Sequence, residues 1–305
     1  FLGDGNDIIR NGNFKENDII EAGSGEDEVF IMNNVSDFLA LNTTKIDGGP
    51  GNDTLSFSSS LGNASEINLT TMKVVNFENL VGTNLDDTIR GNSDDNILSG
   101  GGGSDNIFGG LGNDTLYGNI NYSFYDTSND NLYGSSGNDI IIATAGDNIL
   151  DGGSGVDIIT TGSGSDIIVI RPEDRASSLE LVDRITDFDS SSDVIGMVGL
   201  NYYDFDISQG TDSYSSHTIL SISGEYVAIL ENTSAANIYI PNFMPMPDDY
   251  LGDASDTYEI SGDIGNTTDT NTSNNTAATF TASIDKWLPD SLSSDGEPKW
   301  MDGPV

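Results

Sequence analysis

Gly100–Gly118 reads GGGGSDNIFGGLGNDTLYG, and two nine-residue units stand in it back to back, Gly100–Phe108 and Gly109–Tyr117. Each runs Gly, Gly, any, Gly, any, Asp, any, large apolar, any. A chain that reverses within six residues needs backbone dihedrals with φ > 0, which glycine adopts at least cost. Such a turn gathers several carbonyl oxygens in a small space. The sixth-position carboxylate adds negative charge to that cluster of hard oxygens. A cation that takes six to eight oxygens at about 2.3–2.6 Å suits it, which points to calcium. The last three residues then run extended, and their middle residue, Ile107 or Leu116, points inward.

The same phase recurs on both sides of this stretch. Upstream, Gly82–Arg90 and Gly91–Ser99 adjoin it without a gap, and Gly48–Ser56, Ala22–Phe30 and Leu2–Arg10 match the unit. Asn11–Glu21 keeps Asp18 and Ile20 but carries two extra residues. Downstream, Gly118–Tyr133 bulges by seven residues and recovers at Asp130 and Leu132. Gly134–Ile142, Ala143–Asp151, Gly152–Thr160 and Thr161–Val169 complete the array. The sixth position is held by Asp7, Asp18, Asp27, Asp53, Asp87, Asp105, Asp114, Asp130, Asp139, Asp157 and Asp166, with Asn96 and Asn148 in two units. These residues, with the turn glycines Gly101, Gly103, Gly110, Gly112, Gly153 and Gly155, are the candidate metal-site residues. Asparagine keeps an oxygen but loses the charge, so its two turns are expected to hold metal more weakly.

If each unit is half a coil, units n and n+2 stack on the same side. The pairs are then Asp87 with Asp105, Asn96 with Asp114, Asp139 with Asp157, and Asn148 with Asp166. Position-eight residues Ile89, Leu98, Ile107, Leu116, Ile141, Leu150, Ile159 and Ile168 form inner apolar ladders. That core is thin. Burial at about 25 cal/mol per Å² does not readily offset backbone ordering at about 1–2 kcal/mol per residue in so glycine-rich a chain. Each independent cation site adds about 1.4 kcal/mol at tenfold excess over its dissociation constant. Metal binding is therefore expected to decide between the folded and unfolded chain.

The charge balance agrees. The 305 residues carry 50 Asp and Glu against 10 Lys and Arg, a formal charge of −40. Such a charge opposes compaction and argues against nucleic acid or anionic lipid as a partner. There is no cysteine, hence no disulfide framework or thiol nucleophile. No apolar run approaches the roughly 18 residues of a membrane span. His217 is the single histidine; there is no HExxH, and no Ser–His–Asp triad can be argued from it. The abundant carboxylates are accounted for by the repeat rather than by a catalytic pair. The chain opens inside a repeat without an initiator Met, which reads as the C-terminal piece of a longer protein.

Two insertions, Ile31–Asp47 and 57–81, interrupt the array, and the second is expected to add strands or a short helix at the side of the stack. After Val169 the composition changes. Leu179–Leu200 is rich in β-branched and large apolar residues. Thr218–Leu230 reads as a hairpin turning at Gly224–Glu225, and Asn237–Pro241 as a short strand. A solenoid needs a cap over its last strand edge, and this segment has the composition for one. Gly262–Thr279 is nearly all Gly, Asn, Thr, Ser, Asp and Ala, with too little apolar surface to pack. Ile284, Trp287, Leu288, Trp300 and Met301 restore some amphipathic character.

Over residues 2–169 the array resembles the RTX, or haemolysin-type calcium-binding, repeat family. DRITDFDSSSDVIGM (Asp183–Met197) and YVAILENTSAANI (Tyr226–Ile238) resemble flanks that follow such arrays. The resemblance implies an all-β fold: a parallel β-roll with calcium between stacked turns, a C-terminal β-rich cap and a disordered acidic tail. It also implies export through a type I secretion apparatus that reads an uncleaved C-terminal signal, and folding on reaching extracellular calcium. The chain then divides into irregular repeats (1–56), an insertion (57–81), the main roll (82–169), the flank or cap (170–247) and the tail with its export signal (248–305). Two features depart from the family pattern: insertions at 31–47, 57–81 and 119–128, expected to break the roll into sections, and a final KWMDGPV without an apolar terminal tetrapeptide. The expected function is a secreted, non-catalytic calcium-binding module that supports export and folding of a larger protein. The alternatives are a calcium-dependent surface-layer or adhesive protein, or the tail of a secreted protease, lipase or polysaccharide-modifying enzyme.

Overall fold

Period-nine alternation of a glycine-rich turn with a three-residue strand leaves each strand too short to stand alone, so the strands stack. In a computed structural model, residues 2–12, 14–32, 45–57, 66–70, 72, 74–119, 127–247 and 250 are described. Among them there is no α-helix, and two long, mainly parallel sheets carry the fold. The longer sheet runs Ile8–Gly12, Glu28–Ile31, Thr54–Phe57, Asn79–Val81, Ile97–Ser99, Thr115–Tyr117, Ile140–Ile142, Ile158–Thr160 and Asp183–Ile185. It ends in the antiparallel strands Glu225–Leu230, Thr218–Ile222 and Phe205–Gln209. The opposite sheet runs Glu66–Asn68, Thr88–Arg90, Asn106–Leu111, Asn131–Ser136, Ile149–Asp151, Ile167–Ile170, Val194–Met197 and Phe243–Pro245. Opposite the first repeats, Ile19–Glu21, Lys45–Asp47 and Val74–Val75 form a separate small sheet. This is a parallel β-roll with a β-rich cap.

The position-eight ladders form as the period requires. In the longer sheet Leu80, Leu98, Leu116, Ile141, Ile159 and Ile185 lie in register, and in the other Ile67, Ile89, Ile107, Leu132, Leu150, Ile168 and Ile195. All are at most 1% exposed.

The insertions leave the longer sheet unbroken, whereas the opposite side is divided at 57–81 into the small sheet ending at Val74–Val75 and the sheet that begins at Glu66–Asn68. Residues 57–81 contribute Asn79–Val81 to the longer sheet, between Thr54–Phe57 and Ile97–Ser99, while Glu66–Asn68 begins the opposite sheet. The expectation of a side appendage is thus corrected, because the D/E-x-apolar-x pattern persists where the glycines do not. The 25-residue step from Asp105 to Asp130 keeps the register of the 18-residue steps. Residues 33–44, 58–65 and 120–126 lie outside the described residues, as does the tail expected over 248–305, apart from Tyr250.

The cap differs in two details. The hairpin turns at Ser223–Gly224, both with positive φ (53° and 86°), one residue before the expected Gly224–Glu225. That is the backbone a two-residue turn between twisted strands demands. Asn237–Pro241 is no strand: 3-10 turns at Ala235–Asn237 and Ile240–Asn242 flank Ile238, which enters the core. After Phe243–Pro245 the chain turns onto the outer face of the shorter sheet. There Met244, Met246 and Tyr250 cover Ile149, Ile167, Val169 and Val194. Beside them the Arg171 guanidinium makes two 2.6 Å hydrogen bonds to the buried Asp151 carboxylate.

Candidate metal centre

Each strand is entered from its position-six residue, so the strand register dictates where the carboxylates stand. They form two columns, one along each main sheet, buried between successive coils. Along the longer sheet, backbone N–H groups of Asp7, Asp27, Asn96, Asp114 and Asp139 donate at 2.7 Å to the Oδ1 of Asp27, Asp53, Asp114, Asp139 and Asp157 respectively. Along the other sheet Asp87, Asp105, Asp130 and Asn148 donate in the same way to Asp105, Asp130, Asn148 and Asp166. The four pairs inferred from the spacing are each joined by such a bond.

One carboxylate oxygen is thus used, and the other is the informative one. In Asp27, Asp53, Asp105, Asp114, Asp139, Asp157 and Asp166, Oδ2 is buried with no hydrogen-bond partner among the described residues. An unmatched buried charge is costly, so these oxygens call for a partner. Position two distinguishes these turns from those of Asp87 and Asn96. All seven have a positive φ there: Gly23, Gly49, Gly101, Gly110, Ser135, Gly153 and Gly162, from 77° to 117°. In the turns of Asp87 and Asn96, Thr83 and Asn92 stand at position two instead. Their N–H groups donate to the turn's own side chain, to Asp87 Oδ2 at 2.7 Å and Asn96 Oδ1 at 2.8 Å. A left-handed position two turns its N–H away and leaves the carboxylate to something else.

The first glycine of the unit has a distinct role. A Cβ on Gly100 would lie 2.0 Å from Asp105 Oδ2, on Gly109 2.5 Å from Asp114 Oδ2, and on Gly152 2.2 Å from Asp157 Oδ2. At Gly109 the same point is 2.6 Å from the carbonyl oxygen of Gly134, one coil on. A carboxylate and a carbonyl oxygen thus converge in a space that only a residue without a side chain leaves open. Gly103, Gly112 and Gly155, at position four, also have positive φ.

Burial raises the carboxyl pKa values, with neighbouring carboxylates adding to the effect: Asp53 and Asp139 to about 6, Asp114, Asp157 and Asp166 to about 7, and Asp105 to about 9. Without a counter-charge these six carboxyls take up protons more readily than an ordinary aspartate; a divalent cation is the alternative. Among the described residues no three acidic, imidazole or thiol groups meet at one point. A cation here would therefore be held by one or two carboxylates and by turn carbonyls, donors that fit calcium.

The candidate residues are not all alike. Asp18 is exposed and accepts from Lys15 N–H at 2.8 Å, a local turn outside both columns. Its carbonyl still accepts the Lys45 N–H at 2.9 Å, so its strand stacks in the small sheet while its carboxylate turns to Lys15. Asn148 donates to Asp166 Oδ1 at 2.8 Å, so one asparagine rung is closed by its own amide.

Other members were missed. Glu78 accepts from Asp53 N–H at 2.8 Å, Asp183 from Asp157 N–H at 2.9 Å, and Asp193 from Asp166 N–H at 3.2 Å, so both columns run past the repeats into the cap. The signal was an acidic residue two before an inward apolar one, in ENL, DRI and DVI. Position five was also overlooked. Asn113 N–H donates to Asp95 Oδ1 and Asn138 N–H to Asn113 Oδ1, while the position-six bonds run the opposite way between the same coils. Adjacent coils are thereby clamped reciprocally.

Among the described residues no helix is long and apolar enough to cross a membrane. Residues 45–58, 81–116 and 126–168 match the family model of the RTX calcium-binding nonapeptide repeat, in four copies. A comparison with curated proteins finds no match. Among solved structures, the AlgE6R2 subunit of the Azotobacter vinelandii mannuronan C5-epimerase is similar at 20% identity, over 51% of this chain and 91% of that one, with a TM-score of 0.32. The AlgE6R3 subunit of that epimerase is similar at 25% identity, over 62% and 93%, with a TM-score of 0.25. The extracellular lipase LipA from Serratia marcescens is similar at 14% identity, over 63% and 44%, with a TM-score of 0.28. Likeness of this degree says nothing of this chain's substrate or activity. The matched segments are thus RTX nonapeptide repeats, which are calcium-binding.

Proposed function

We propose that the two carboxylate columns make this chain a calcium-dependent folding module of a secreted protein. Asp27, Asp53, Asp105, Asp114, Asp139, Asp157 and Asp166 would each present their second oxygen to calcium, with position-one carbonyls of the adjoining coil completing the donor set. The observation that carries this reading is the recurrence of one unpartnered, buried carboxylate oxygen in seven turns. Bound calcium supplies the positive charge that lets neighbouring coils close. Where calcium is scarce, mutual repulsion within a chain of charge −40 keeps the coils apart. Such a chain suits passage through a type I secretion apparatus unfolded and closure outside the cell. The module itself performs no catalysis in this reading; it supports the folding of whatever it is joined to.

The test is a calcium titration followed by far-UV circular dichroism. β-signal that grows with calcium in the millimolar range and vanishes with chelator is the expected result. A calcium-independent spectrum would refute the folding role.

A further inference from the structure

We infer that His217, the single histidine, is a proton-operated latch in the cap: its neutral ring pins the turn that follows strand Glu225–Leu230, and its protonated ring releases that turn. The residue stands just before strand Thr218–Ile222, and its Nδ1 accepts the Asn232 N–H at 2.9 Å. A backbone N–H can only donate. Nδ1 therefore carries the lone pair, and the proton of the neutral ring sits on Nε2. A proton added at Nδ1 would set two N–H groups face to face, so this bond exists in one charge state only. The Ser216 hydroxyl also lies 3.4 Å from Nδ1.

The bond belongs to a small network. Asn232 has φ of 53°, a left-handed backbone that a residue with a side chain adopts only when held. The next carbonyl, of Thr233, accepts the buried Thr218 hydroxyl at 2.8 Å. Ala235 N–H donates to Gln209 Oε1 at 3.0 Å, and the Gln209 amide donates to the His217 carbonyl at 2.8 Å. Gln209 and His217 thus give residues 231–237 the side-chain acceptors that no neighbouring strand offers. That segment leads to Ile238, which enters the core. Imidazole ordinarily changes charge between about pH 5 and 8. The Tyr214 ring stands edge-on to it, with centroids 6.2 Å apart. Of the charged groups on the elements around it, Asp212 begins the 3-10 turn that carries Tyr214, and Asp206 and Glu225 stand toward the far ends of their strands, opposite Ser221 and Ile222. Glu231 is paired with Arg184. The ring nitrogens have no column carboxylate as a partner, so the latch is separate from the calcium reading.

The experiment measures amide hydrogen exchange of the full chain in saturating calcium, by mass spectrometry of peptides over 231–237 and 218–230, at about pH 7.5 and about pH 5.5 on either side of the imidazole range. It compares the wild type with His217→Asn, which offers a carbonyl oxygen near the place of Nδ1 and does not titrate. After correction for the intrinsic pH dependence of exchange, the wild type is expected to lose about tenfold in protection over 231–237 at the lower pH, the scale of one hydrogen bond to a charged group. His217→Asn is expected to lose none, and 218–230 is expected to stay protected in both proteins. Equal corrected protection at the two pH values in the wild type would overturn the inference. So would the same acid loss in His217→Asn, which would assign it to Glu231 and its ion pair, or a loss shared by 218–230. Should His217→Asn fail to fold, the ring nitrogen-15 shifts of the wild type's single histidine decide. A bare Nδ1 at pH 7.5 that gains its proton as protection over 231–237 falls supports the latch, and a proton on Nδ1 at pH 7.5 overturns it.

Discussion

Asp105 receives the Asp87 N–H on Oδ1 and, among the described residues, nothing on Oδ2, and the space around that second oxygen exists because Gly100 has no side chain. Two substitutions separate these features. Gly100→Ala places a methyl against Oδ2 and is expected to destabilise the calcium-loaded chain by about 1–3 kcal/mol, an overpacking cost read from thermal melts. Asp105→Asn keeps the hydrogen-bond acceptor but removes a carboxyl whose pKa burial has raised to about 9. It is expected to raise the calcium midpoint several-fold while making the calcium-free chain no less structured; an unchanged titration would remove Asp105 from the site. The position-six aspartates and position-eight apolar residues were legible in the sequence because both repeat at period nine. The reason for the first glycine was not, since space for a carboxylate oxygen is a tertiary property. Nor was the difference between Asp87 and Asp105, which rests on the backbone conformation of Thr83 and Gly101.

At the scale of strands and turns, the continuity of the longer sheet across three interruptions was hidden by the loss of glycine. Glu78, Asp183 and Asp193 enter their strands as the repeat aspartates do, but from turns that lack the glycine signature. Asn and Asp at position five read as ordinary turn chemistry, and their role as acceptors for the next coil emerges only on stacking. The cap was legible as β-rich; its turn position and its 3-10 segments were set by packing of Ile238 and by the two positive φ values at Ser223–Gly224. The Arg171–Asp151 pair, almost wholly withdrawn from water, anchors the connection between the last repeat and the cap. Arg171→Ala would leave Asp151 buried without its partner. It is expected to cost about 3–5 kcal/mol in thermal or denaturant unfolding of the calcium-loaded chain, and a loss below 1 kcal/mol would show that the pair does not hold this junction.

For the whole molecule, the raised carboxyl pKa values set the behaviour without calcium. A carboxyl that is protonated in the folded state and ionised in the unfolded one makes folding take up protons, so stability falls as pH rises. Asp53, Asp105, Asp114, Asp139, Asp157 and Asp166 have folded values of about 6 to 9 against an ordinary 3.8. Their contribution to the calcium-free roll is fully present below about pH 4 and is lost progressively up to about pH 9. Calcium must displace those protons, so its midpoint is expected to fall as pH rises from 6 to 8, with protons released into unbuffered solution on binding. A midpoint independent of pH would argue that cations and protons do not share these groups. The central claim, that buried acidic columns persist as a roll because calcium neutralises them, is tested most directly by far-UV circular dichroism of the full chain at pH 7.5 with calcium and with chelator. The account predicts a folded β-spectrum in calcium and an unfolded one in chelator, reversible on adding calcium back. A β-spectrum of equal strength in both would contradict it.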